Sequence, residues 1–270
     1  MIKIEHTEVV GWKHVIRGMR NPMNSWDKSD SGICGDIDCN SCIFDGCDKE
    51  CGLIEADYDY VLGKNDHELM MSLSDGGPVH AKYRRMIVVY LDITAPLYWW
   101  KEFDTYKVGT VANSCSTMHK IHAKEFTLDD FSHDQILWSD WFDDEPEDSL
   151  ACVPAYHLNV TVATLNYYRK KFLEANDKLK SKDLLTEAER KHILAQRKKY
   201  WWQMIQLLPS SYNQKRTVML NYEVLVGIYK WRKEHKLDEW REFCKWIESL
   251  PYSEIITGED EDDLSLGHGD

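Results

Sequence analysis

The residues best equipped for chemistry lie in one run, Ala95 to His122, which reads A-P-L-Y-W-W-K-E-F-D-T-Y-K-V-G-T-V-A-N-S-C-S-T-M-H-K-I-H. Tyr98, Trp99 and Trp100 come first and share the run with Lys101, Glu102, Asp104, Lys107, Asn113, Ser114, Ser116, His119 and Lys120. A helix that only supports a core separates its polar and apolar faces. Here the two kinds are mixed, and the middle, V-G-T-V-A-N-S-C-S-T, is rich in small residues. Such a stretch suits backbone lying close against a ligand, with amides and hydroxyls left to bind it. The competing reading is a buried helix followed by a loop. A second run, Leu207 to Arg232, reads L-L-P-S-S-Y-N-Q-K-R-T-V-M-L-N-Y-E-V-L-V-G-I-Y-K-W-R. On a helix, Asn221 and Arg232 are about three turns apart and near one face. The forked donors of Arg232 match a phosphate or a pyrimidine edge. Taken alone, that arginine would read as a surface residue beside Trp231.

Other chemistries are disfavoured. The sequence has no phosphate-cradling G-x-x-x-x-G-K-[ST], no G-x-G-x-x-G, no H-E-x-x-H and no G-x-S-x-G. Cys115 sits in N-S-C-S with no base fixed nearby in sequence, which reads as a packed thiol rather than a nucleophile. His80, Lys82, Arg84 and Arg85 form a basic cluster. Cys34, Cys39, Cys42, Cys47 and Cys51 follow the spacing C-x4-C-x2-C-x4-C-x3-C. In a reducing compartment clustered thiols point to zinc. Five ligands exceed a tetrahedral set, however, and one pair alone has the tight spacing, so a solvated insert with free thiols stands beside structural zinc.

The formal charge is 33 − 46 = −13 over 270 residues, which disfavours direct binding to nucleic acid. Part of the excess is local, in Asp143–Asp148 and Glu259–Asp263, so a basic pocket for an anionic small molecule remains possible elsewhere. No stretch is long and apolar enough to span a bilayer. The start, M-I-K-I-E-H-T, is not a signal peptide. A cytoplasmic protein that does not engage a membrane is expected.

The elements that must hold these residues follow from period and caps. Met1–Val10 reads as an edge strand and Trp12–Met19 as a short helix ending at Asn21-Pro22. Asn65-Asp66 is expected to cap a helix that stops at Asp75-Gly76-Gly77-Pro78. M-I-V-V-Y-L-D-I-T is a β-branched strand leading into the Ala95 run. Helices are expected over Phe126–Trp141, capped by Thr127 with Asp130, over Leu158–Leu173, and from the capping box Thr186/Glu189 to about Leu208. After Pro209, Ser210 or Ser211 would cap a helix over Gln214–Trp231. Leu237, Trp240, Phe243, Cys244 and Ile247 make a core stripe. The sum is an α+β fold, helices packed around a small, mostly antiparallel sheet. It is read as one domain over residues 1–257, with a Cys-rich insert at about 31–55 and a disordered acidic tail over 258–270.

The two runs together resemble the flavin-dependent thymidylate synthases, the ThyX family, over roughly Gly63 to Leu250. That family carries A-P after a strand, then R-H-R-x-x-S-x-N-E-x-S-x-R-Y. Later it carries L-P-L-N-x-Y-T followed by N-x-R and L-R. Ala95-Pro96 stands at the A-P, and Thr105-Tyr106-Lys107 at the R-H-R. Thr110 takes the first serine's place, and Asn113, Ser114 and Ser116 take the N-E-x-S places with one residue inserted. Leu208-Pro209, Asn221 and Arg232 match the C-terminal signature at the same spacing. The departures are Thr105 and Lys107 for two arginines, Ser114 for the glutamate, Met118 for an arginine, and Glu223 for the arginine of N-x-R. The resemblance implies a ThyX-like fold and a homotetramer with FAD at its interfaces. It implies reductive methylation of dUMP to dTMP, with methylenetetrahydrofolate and NADPH as co-substrates and no protein nucleophile. It assigns Arg232, Ser116 and Ser114 to dUMP, and Asn221, Lys107, Thr110 and Asn113 to the flavin; His119 is added for dUMP, and His80 and Arg84 for the flavin, as replacement for the missing arginine charge, to which Lys120 and Lys82 could also contribute. The altered motif leaves two alternatives: a flavin-dependent dUMP hydroxymethylase, or a non-catalytic nucleotide- or zinc-binding protein on this scaffold.

Overall fold

Burial alternating with a period of two marks the inner strands. The computed structural model describes residues 2–33, 60–138, 153–180 and 185–258. Strand β4, Val88–Pro96, buries Val89, Leu91, Ile93 and Ala95 and turns the residues between them outward. The elements before it are β1 (Lys3–Val10), α1 (Trp12–Arg20), the two-residue strands β2 (Gly32–Ile33) and β3 (Tyr60–Val61), and α2 (Lys64–Asp75). After it come α3 (Leu97–Phe103), β5 (Val111–Ser114), α4 (Pro154–Lys180), α5 (Glu187–Leu207), β6 (Asn213–Asn221), α6 (Tyr222–Arg232), α7 (Asp238–Glu248) and α8 (Glu254–Thr257). The sheet order is β1-β4-β6-β5, so β1 is an edge strand, as its charged composition leads one to expect. The α+β class, helices with a small antiparallel sheet, agrees with the sequence reading.

Four expectations are corrected. Residues 213–221 form a strand, not the start of a helix, because Gln214, Val218 and Leu220 bury one face at period two and Thr217 faces outward. The helix begins eight residues later than expected, capped by Asn221 rather than by Ser210 or Ser211. Residues 126–138 hold only a 3₁₀ turn at Leu128–Asp130; its capping box is present, but Phe131 leaves the turn to bridge Tyr212. Finally, α2 starts on Gly63 without a side-chain cap of its own. The Asp30 carboxylate instead accepts from the Asn65 and Asp66 amides at 2.9 and 3.1 Å, a cap delivered from a distant loop. The cysteines 34–51, the acidic stretch 143–148 and the tail from 259 lie outside the described residues.

The chain divides into two compact units, one of Met1–Lys3, Ile93–Thr105 and Asn113–Arg216, the other of Ile4–Asp92, Tyr106–Ala112 and Thr217–Asp270. In the first, α3 buries Trp99, Trp100 and Phe103 as an interlocked aromatic cluster with centroids 5.0–5.3 Å apart. Its second core joins Leu158, Leu165 and Phe172 of α4 with Met204 of α5 and with Ile121, Phe126 and Phe131. In the second unit Trp12 meets Tyr222 and Tyr252 edge-on, and the expected α7 stripe, Trp240, Phe243, Cys244 and Ile247, is buried. Helix α1 begins after Gly11, whose φ is 110° and whose side chain, if it had one, would lie 2.5 Å from the Met86 carbonyl oxygen.

One buried carboxylate ties that second unit together. Asp66 Oδ1 accepts from Arg20 Nε at 2.6 Å, and Oδ2 accepts from Ser29 Oγ and from the amides of Asp30 and Ser31. Both charged side chains are buried, so the desolvation each suffers is offset by the other, by these donors to Asp66 and by the Ser25 carbonyl, which accepts from Arg20 at 3.3 Å. Nearby, His67 Nε2 pairs with Glu254 Oε1 at 2.7 Å and links α2 to α8. Burial opposes ionisation of Glu254, but the His67 bond, a backbone amide and the His67 charge outweigh it and hold this carboxyl below the usual glutamate range.

Asp66→Ala is expected to cost about 3–5 kcal/mol, because it strands the Arg20 guanidinium in the interior; urea unfolding measures the loss, and a loss under about 1 kcal/mol would refute the network's role. For Glu254 the sign runs with its depressed ionisation: the pair stabilises above the unfolded carboxyl's range and is lost as pH falls through the folded value. Glu254→Gln should therefore lower stability at neutral pH and flatten its fall toward pH 4 in parallel thermal melts.

Candidate functional site

In the second unit the site is built on α6. The chain leaves β6 at Asn221, which is extended, and its side-chain oxygen accepts from the Val224 amide at 3.1 Å, closing the first helical turn. Arg232, at the other end of α6, donates Nε to the Tyr106 hydroxyl at 2.9 Å. Its guanidinium carbon lies 4.6 Å from the centroid of the buried Trp240 ring and 5.7 Å from that of Tyr106. Two aromatic faces and a hydroxyl thus hold one cation in a fixed plane, the pre-organisation that a planar donor fork needs to read an anion.

The 106–112 segment passes beside the start of the same helix. Gly109 has φ 80°, and a Cβ there would lie 2.9 Å from the Asn221 side-chain nitrogen, so the backbone approaches the cap as only glycine allows. Next to it the Thr110 hydroxyl oxygen is buried with no hydrogen-bond partner among the described residues. Lys107 is exposed.

Arg84 is not brought to this group. It is buried, donates Nε to Glu223 at 2.9 Å and a terminal nitrogen to the Ile255 carbonyl at 3.4 Å. It lines a cavity of about 320 Å³ with Lys230, Lys233 and Glu254, on the face of α6 formed by residues 226, 229, 230 and 233. Asn221 and Arg232 lie on another face. His80 is exposed on the turn before Ala81. Cys244 is enclosed, and burial pushes its thiol up to about 12, which removes it as a nucleophile. Among the described residues no cluster of His, Cys, Asp or Glu is arranged to hold a metal ion. The five cysteines fall outside those residues.

In the first unit Asn113, Ser114, Ser116 and His119 are all exposed or partly so. Ser116 Oγ accepts from the Met118 and His119 amides at 3.2 and 2.9 Å, so the hydroxyl forms a tight turn rather than pointing idly outward. The turn is moored by Trp201, whose indole N–H donates to the Met118 carbonyl at 2.9 Å. At its start the Cys115 amide donates to the Lys215 carbonyl at 2.9 Å, and the Gln214 side chain donates to the Cys115 carbonyl at 2.8 Å.

Sequence reasoning missed Tyr106 and Trp240 as partners of Arg232, and Gln214 and Arg216 as supports of the serine turn. The alternation Gln214, Arg216, Val218, Leu220 was the available signal for the last two. For the aromatic pair no local signal exists, since they are brought together from distant positions.

No family model and no curated protein matches the chain. Among solved structures it is similar to thymidylate synthase X (ThyX) from Helicobacter pylori in crystals with FAD and dUMP, with a TM-score of 0.54 and 13% identity, covering 96% of this chain and 98% of that one. A second structure of the flavin-dependent thymidylate synthase ThyX from the same organism, also complexed with FAD and dUMP, gives a TM-score of 0.53 at 13% identity, again covering 96% of this chain and 98% of that one. The likeness is one of fold.

Asn221→Ala should cost about 1 kcal/mol through the lost cap, and Gly109→Ala about 1–3 kcal/mol through a strained φ and a clash. Because both disturb one contact, the double variant should lose less than the sum. Strict additivity in urea unfolding would show that Gly109 does not rest on Asn221.

Proposed function

We propose that this chain is a flavin-dependent thymidylate synthase-type enzyme that methylates dUMP reductively to dTMP. Methylenetetrahydrofolate is the carbon donor, FAD the flavin and NADPH the reductant. The observation that carries the reading is the fold likeness over 96% of the chain to a ThyX solved with FAD and dUMP. It is supported by Arg232, which the resemblance assigns to the nucleotide and whose guanidinium is oriented against the Tyr106 and Trp240 rings.

The residues fit a flavin. The buried Thr110 hydroxyl oxygen, which has no partner among the described residues, is what a close-lying polar ligand would satisfy. The glycine beside it lets backbone amides approach. Thr110, Lys107 and the amide nitrogen of Asn221 would hold FAD, with Asn113 and His80 adding contacts at its edge. Bound FAD would supply a hydride and a flat surface for the pyrimidine. Arg232 would orient the nucleotide through its fork; Ser114, Ser116 and His119 are the nucleotide-binding candidates of the other unit, and each set is proposed by itself. This chain's own work is positioning and charge, not covalent catalysis. The proposal includes a homotetramer and a cytoplasmic location; among the described residues no helix is long and apolar enough to cross a membrane.

Glu223 in place of the family's arginine, paired with Arg84, favours keeping one variation of product open: a hydroxymethyl rather than a methyl group on dUMP. The purified protein is expected to take up FAD, seen in its visible absorption. With dUMP, methylenetetrahydrofolate and NADPH it should yield dTMP by mass spectrometry; hydroxymethyl-dUMP would select the variation, and a protein that takes up no flavin overturns both. Arg232→Lys, which keeps the charge and loses the fork, should lower kcat/KM for dUMP by about 10- to 100-fold.

A further inference from the structure

We propose that Gln214 is a positioning residue for the nucleotide: its side-chain amide sets the Cys115 peptide and so places Ser116 and His119. This rests on the nucleotide-binding reading above. Gln214 is only 7% exposed, yet it belongs to a strand whose neighbouring positions are half open. Both ends of its amide are used. Nε2 donates to the Cys115 carbonyl at 2.8 Å, and Oε1 accepts from Arg216 Nε at 3.0 Å. A carbonyl can only accept and a guanidinium can only donate, so the amide has one orientation compatible with both partners.

Arg216 is itself immobilised. Its guanidinium carbon lies 4.1 Å from the Trp100 ring centroid, and a terminal nitrogen meets Asp104 at 2.7 Å. Trp100 is fully buried and donates its indole N–H to the Gln214 carbonyl at 2.9 Å. A closed relay therefore runs from the aromatic cluster of α3 through Arg216 and Gln214 to Cys115. The residue after Cys115 is Ser116, whose hydroxyl organises the turn carrying His119. A solvent-exposed loop is ordinarily free to rearrange. This one has its entry residue, Cys115, fixed at its N–H by the Lys215 carbonyl and at its C=O by the Gln214 side chain. That is the arrangement expected where exposed hydroxyls must meet a ligand in one geometry.

The test is Gln214→Glu, which keeps size and the acceptor facing Arg216 but turns the donor on Cys115 into a second acceptor. The KM and Kd for dUMP should rise by about 10- to 100-fold, with kcat and the affinity for FAD changed less than about two-fold. Arg216→Leu, which leaves Gln214 in place and removes the group that orients it, should give the same split to a smaller degree and covers the case in which the glutamate variant fails to fold. A folded Gln214→Glu protein that binds dUMP as well as the wild type overturns this inference alone. Equal loss of FAD and dUMP also overturns it, by marking the residue as merely structural. A wild-type protein that binds no dUMP overturns the inference together with the reading beneath it.

Discussion

The bond from the Val224 amide to the Asn221 side chain is the constraint on which the rest depends. At that residue the backbone passes from a strand with a period of two to a helix with a period of 3.6. Where the switch falls decides which way every later side chain points. One residue earlier or later would rotate α6 by about 100° about its axis. Glu223 would then leave Arg84, and Arg232 would leave the rings of Tyr106 and Trp240. The cap also forms the surface on which Gly109 rests, so strand, helix and the 106–112 segment are registered by one amide.

The second theme is how an acidic chain uses its cations. With a net charge of −13, a guanidinium is attracted to many places at once, and long-range field alone cannot hold it in one. Four arginines are instead each confined by a specific short contact. Arg20 is closed in with Asp66, Arg84 with Glu223, Arg216 between Trp100 and Asp104, and Arg232 between two aromatic rings. Arg20 and Arg84 are buried and matched by carboxylates, which suits a structural task. Arg232 is half-buried and lies against ring faces, which fix the plane of its guanidinium.

Much of the architecture was legible along the chain. The β-branched run before Ala95, the capping box at Thr186 and Glu189, and the α7 stripe each rest on local rules of propensity and period, and each is present. The strand at 213–221 was not legible in the same way. Its apolar members number few, its buried face begins with a glutamine, and a helical period accommodates the same residues. Pairing within the sheet, a non-local interaction, resolves the choice. The short turn at Leu128–Asp130 teaches the same lesson: the capping box is real, but Phe131 gains more from the bridge to Tyr212 and its core than from continuing the helix.

For the candidate site, the residue types and their order along the chain were what singled out Arg232, Asn221, Thr110 and the serine run as candidates. The sequence by itself determined which groups exist, how many charges they carry, and that an α+β scaffold holds them. Only the tertiary structure decided that Arg84 serves Glu223 rather than the Asn221–Arg232 face, that Tyr106 and Trp240 hold Arg232, and that Gln214 secures the Cys115 peptide. The physical reason is that a hydrogen bond or a ring contact acts over a few ångströms between residues many positions apart. Such proximity is created by burial of the core and leaves no period or spacing in the chain from which it could be read.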